Sequence, residues 1–74
     1  MSILPILAAR AVVRKLIRAG FRYIGARGSH QFYRHTVTRR TTSIPIHGGN
    51  TVGRGLLKKI IEQAGLSVKE FLDR

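Results

Sequence analysis

The sequence predicts an α+β domain in the order α-β-β-β-α, closed by a short extra helix. Two observations carry this reading. Apolar residues recur at helical spacing near both ends of the chain, and between those segments the period changes to two, in runs rich in aromatic and β-branched side chains. A three-stranded antiparallel meander with both long helices on one face is the simplest way to bury these stripes. Its other face would be open. The 74 residues fit one domain, taken as residues 1–74.

The first helix is expected over about Pro5 to Ala19. Pro5 suits a first-turn position, and Ile6, Ala9, Val13, Leu16 and Ile17 share one face. Arg10, Arg14 and Arg18 form a basic stripe. Gly20 supplies a left-handed cap, with Phe21 placed to pack back on the helix. Strands follow over Phe21 to Ala26, His30 to Val37 and Arg40 to Ile46. Gly25 and Arg27-Gly28-Ser29 would turn the first strand into the second, and Val37 to Arg40 would join the second to the third. Pro45 marks an end or an edge, because proline cannot donate to a ladder. The glycine-rich stretch from His47 to Gly53 reads as a flexible linker. A second helix from about Arg54 buries Leu56, Leu57, Ile60, Ile61 and Ala64, shows Lys58 and Lys59 outside, and closes at Gly65. Ser67 and Glu70 have capping-box spacing and open the last helix, which carries Phe71 and Leu72.

Charge sets the class of partner. The net charge is +11, and the only acids are Glu62, Glu70 and Asp73. Of the 14 Lys and Arg, all but Lys69 and Arg74 precede Glu62, so residues 1–61 hold 12 basic side chains and no carboxylate. Such a field attracts phosphates or an acidic partner. There is no cysteine for a disulfide or thiolate site. The apolar run from Ile3 to Ala9 is interrupted by Pro5 and ended by Arg10, far short of the roughly 20 residues a membrane span needs. Its basic residues follow the apolar ones, against the order of a signal peptide. The expectation is a cytoplasmic protein with no membrane association; a membrane-surface peptide using the first amphipathic helix is the weakest alternative.

His30 is the residue that could carry chemistry. An imidazole titrates near neutrality, so it can take a proton from an RNA 2′-hydroxyl or give one to a leaving 5′-oxygen. Arg27, and Arg34 on the same strand face, could hold phosphate and stabilise developing charge. The pattern alone leaves open a plainer role, an exposed strand histidine that only contacts phosphate. His30, His35 and His47 have no spacing that gathers them, and no carboxylate precedes Glu62, so no metal site and no cofactor is expected. Phe32 and Tyr33 point to opposite faces, so one of them could stack on an unpaired base. Gly48-Gly49 and Gly53-x-Gly55 match no phosphate-loop fingerprint. No Ser-His-Asp set can be assembled before the C-terminal helix.

Ala19-Gly20-Phe21, Gly28-Ser29-His30, Pro45-Ile46-His47-Gly48, Gly55-x-Leu57 and Ala64-Gly65-Leu66-Ser67, in this order and spacing, resemble the HicA toxin family of toxin–antitoxin modules. The resemblance runs from about Val12 to Leu72. It implies a double-stranded-RNA-binding-domain-like fold, metal-independent mRNA cleavage by an endoribonuclease (an mRNA interferase) that inhibits translation and growth, and neutralisation by a HicB antitoxin. The family's catalytic histidine falls on His30, with Gly28 and Ser29 shaping the turn that presents it. His47 is then an RNA-contacting or structural residue, and Arg27, Arg34, Lys58 and Lys59 attract the RNA backbone. Two departures stand out: Val37-Thr38-Arg39 replaces a Pro-Asp-Gly-like turn, and Gln31 occupies a position often held by a second histidine. The alternative function is a non-catalytic basic RNA-binding module of the same fold, which explains the charge but leaves Gly28-Ser29-His30 without a role.

Overall fold

The computed structural model describes residues 4–74; Ile3, the start of the apolar run, lies outside the described residues. The elements are β1 (Leu7–Ala8), α1 (Ala9–Arg18), β2 (Phe21–Arg27), β3 (His30–His35), β4 (Thr41–Pro45), β5 (Thr51–Val52), α2 (Arg54–Ala64) and α3 (Val68–Leu72). β2, β3 and β4 form the expected antiparallel meander in the order β2-β3-β4. Pro45 ends an edge strand, as its missing N–H demands.

Two expectations about the ends of the first helix and the glycine-rich stretch are corrected together. α1 begins at Ala9, not near Pro5. Leu7 and Ala8 are instead paired antiparallel with Val52 and Thr51, and the Ala9 N–H donates to the Asn50 carbonyl at 2.9 Å. The supposed linker is therefore half of a small second sheet. Gly48 and Gly49 adopt φ of 56° and 71°, and this tight turn lets Asn50 lock the loop. Its side chain accepts from the His47 N–H at 2.9 Å and donates to the Pro45 carbonyl at 2.8 Å. A third correction concerns Gly25, which does not turn the chain. It sits at a bulge where the register shifts between Tyr23 and Gly25, and β2 runs on to Arg27.

The core lies between the sheet and the helices. Val12 and Leu16 of α1, Phe21, Tyr33 and Ile44 of the sheet, Val52, Leu57, Ile60 and Ile61 of α2, and Phe71 of α3 are all buried. On α1 the buried stripe is Ala9, Val12 and Leu16, rotated from the expected one, so Ile6 and Ile17 stay exposed. The shift follows from the later helix start, because β1 fixes where Ala9 enters the core. On α2 only Leu56 leaves the expected set, at the edge of the buried face. Gly65 caps α2 at φ 75°, with the Leu66 N–H donating back to the Ile61 carbonyl at 3.2 Å.

α3 is only five residues long and depends on its cap. The Glu70 N–H donates to Ser67 Oγ at 3.0 Å, and the Ser67 N–H donates to Glu70 Oε1 at 2.8 Å. The Ser67 backbone N–H, donating to the carboxylate, is the main reason the Glu70 carboxyl lies below its ordinary range. A depressed carboxyl adds stability that is present above its unfolded-state value and is lost as pH falls through the folded-state value. Ser67→Ala is expected to cost about 1 kcal/mol, and Glu70→Gln, which removes the titrating group, to flatten the acid limb of the stability curve, both read by thermal melts from pH 3 to 7. An unchanged acid limb would refute the role given to the cap.

Candidate nucleic-acid interface

β3 alternates strictly between the two faces of the sheet. Tyr33 points inward, where it is buried and its hydroxyl donates to Gln31 Oε1 at 2.8 Å. His30, Phe32 and Arg34 therefore share the outer face, on which no helix packs. Register extends that face sideways. His30 lies opposite Arg27 on one side and Pro45 on the other; Phe32 lies between Gly25 and Ser43; Arg34 lies between Arg22 and Thr41.

His30 opens β3 directly after a two-residue turn. Gly28 has φ 59° while Ser29 stays in the ordinary region, the pattern of a type II′ hairpin, which wants glycine first. The Ser29 carbonyl accepts from the Ile46 N–H at 2.8 Å, tying the hairpin tip to the segment that follows β4. The same corner of the molecule thus collects Arg27, Gly28, Ser29, His30 and the backbone of His47. His30 and His47 are exposed, and among the described residues the ring of His30 makes no hydrogen bond. This leaves the imidazole free to meet a ligand.

Electrostatics on this face are one-sided. Glu62 lies on α2, Glu70 on α3 and Asp73 just after it, all on the helix layer. Among the described residues the single ion pair is Lys69 with Asp73, at 3.9 Å and well exposed. No carboxylate reaches Arg22, Arg27 or Arg34. Arg34 Nε donates only to Thr41 Oγ1, at 3.2 Å.

His35, at the far end of β3, has a different job. Its Nδ1 accepts from the Val37 and Thr38 N–H groups at 3.0 and 3.1 Å, so the proton sits on Nε2, which donates to the Ala19 carbonyl at 3.0 Å. The ring also packs edge-on against Phe21, 5.1 Å between centroids. His30, His35 and His47 are not gathered, and among the described residues no three His, Asp or Glu side chains are placed to hold a metal.

A family model described as the HicA toxin of bacterial toxin–antitoxin matches residues 9–66. The chain belongs to the HicA toxin family. The match spans α1 through the Gly65 cap of α2 and so includes the whole three-stranded sheet. No curated protein matches the chain significantly. Among the described residues of this HicA toxin, no helix is long and apolar enough to cross a membrane.

Not every basic residue singled out in the sequence joins the His30 face. Lys58 and Lys59 are exposed on α2, whose opposite side packs into the core, so they lie on the helix layer away from His30. Conversely, sequence reasoning missed Arg22, which the register sets beside Arg34. The bulge hides it: alternation counted back from Arg27 breaks at Ile24.

Proposed function

We propose that this HicA toxin is an mRNA endoribonuclease that cuts without metal or other cofactor, with His30 as general acid–base, and that it acts in the cytoplasm to inhibit translation and growth. The observation that carries this reading is the exposed imidazole of His30 beside Arg27, on a sheet face free of carboxylates. In the reaction, the 2′-oxygen attacks the adjacent phosphorus and the bond from phosphorus to the 5′-oxygen breaks. This leaves a 2′,3′-cyclic phosphate and a 5′-hydroxyl. His30 either accepts the 2′-hydroxyl proton or donates one to the departing 5′-oxygen. Arg27, directly across the strand pair, stabilises the charge that builds on the phosphoryl oxygens. Gly28 and Ser29 leave the approach to His30 clear of bulk, and His47 contacts the RNA at the same corner. Lys58 and Lys59 act at longer range, through the positive field that speeds encounter.

A metal-assisted route would require hard oxygen ligands, and the His30 face has no carboxylate to offer. The family supports an antitoxin partner, which we take to be HicB; an acidic HicB surface would meet the basic face with steered, fast association and cover His30. Purified protein is expected to degrade mRNA in the presence of EDTA, leaving cyclic-phosphate ends. Intact RNA after prolonged incubation, with the fold verified by circular dichroism, would refute the nuclease assignment and favour a binding module.

A further inference from the structure

The outer face of the sheet has a second basic centre that the chemistry at His30 does not use. Arg22 and Arg34 are directly opposed across β2 and β3. Like charges so placed destabilise a sheet. With Arg39, Ile24, His35 and Thr36 they line an open cleft of about 150 Å³. None of the three arginines has a carboxylate partner among the described residues. Arg40, next in the chain, is engaged elsewhere, its side chain lying against Gly65 at the C-terminus of α2.

Arg39 adds a separate observation. It adopts φ 66°, the one non-glycine residue with positive φ among those described. A glycine would hold this position at lower cost, and backbone strain of this kind collects at binding sites. The chain thus keeps a cation where folding alone favours none.

We propose that Arg22, Arg34 and Arg39 form a phosphate-binding subsite for the backbone of single-stranded RNA. The subsite rests on the reading of the His30 face as the RNA-cleaving face and deepens it. His30 and Arg34 are four residues apart on one strand, about 13 Å at the usual rise per residue. A strand of RNA lying along β3 would place its cleaved phosphate at His30 and another phosphate, further along, in the arginine cleft. Phe32 lies between them with Gly25 on one flank, so a base can reach its ring. Substrate choice would then depend on length: RNA too short to span both centres loses the second anchor.

The test uses His30→Ala protein, expected to bind without cutting, and a fluorescein-labelled octanucleotide of unstructured RNA. Anisotropy titrations are run from 0.05 to 0.5 M salt. Each phosphate contact on a single strand contributes about 0.7 to the salt exponent, hence about fivefold in affinity at 0.1 M salt. Arg22→Ala and Arg39→Gly, each added to that background, are expected to weaken binding about fivefold and to lower the slope by about 0.7. Arg39→Gly should also leave the melting temperature unchanged or raise it, which separates lost contact from lost fold. Unchanged affinity and slope in both variants would overturn the subsite. So would a loss of affinity for polyglutamate with RNA binding intact, which would assign the cleft to an acidic protein instead. Should wild-type protein fail to cut RNA while the arginine variants still lose RNA affinity, the nuclease reading falls and the subsite stands.

Discussion

His30→Ala is expected to lower the RNA-cleavage rate by about 10²–10⁴, the usual contribution of a positioned general acid or base. Each factor of ten corresponds to about 1.4 kcal/mol of barrier, so the imidazole is asked for roughly 3–5 kcal/mol. The substitution should spare the fold, because the side chain is exposed and its ring holds no hydrogen bond among the described residues. RNA affinity should change little, since Arg27 and Arg34 remain on the face. The two measurements together separate chemistry from binding: a multiple-turnover assay in chelator and an anisotropy titration on the same samples. Free imidazole added to His30→Ala should restore part of the rate if the missing group is a proton carrier. Full activity in the variant would remove His30 from the mechanism, whatever its position.

The corner that presents His30 was legible in the sequence because local rules dictate it. Gly28 is needed for the positive φ of a two-residue hairpin, and period two then places His30, Phe32 and Arg34 on one side. The helix caps at Gly20, Gly65 and Ser67 were legible for the same reason. What stayed hidden depends on contacts distant in sequence. Leu7 and Ala8 look like the first turn of a helix until Thr51 and Val52 offer them ladder partners more than forty residues away. Arg22 joins Arg34 only because the bulge at Ile24 resets the alternation in β2, and no sequence signal besides Gly25 marks that reset. His35 was one of three scattered histidines by sequence. Its role emerges only when β3 delivers it to the end of α1.

That junction yields the largest expected loss of stability. Gly20 has φ 103°, and a β-carbon placed there would come 2.7 Å from His35 Nε2. The ring cannot move aside cheaply. It is held by the Ala19 carbonyl on one nitrogen and by the Val37 and Thr38 N–H groups on the other, with the Phe21 ring nearly perpendicular beside it. Gly20→Ala therefore incurs both backbone strain, about 1–3 kcal/mol, and the loss of hydrogen bonds at about 1 kcal/mol each. The sum is about 3 kcal/mol or more, a large fraction of the margin of a domain this small. At about 4–8 °C per kcal/mol for this size, the melting temperature should fall by more than 10 °C. His35→Ala in the same background supplies the check. If the clash with the ring is the main cause, the double variant should be little less stable than His35→Ala alone, because removing the ring clears the space. If strain at φ 103° is the main cause, the two losses should add. The far end of β3 is anchored by this ring, so either variant should also loosen the turn that carries Arg39 and thereby weaken RNA binding without touching His30.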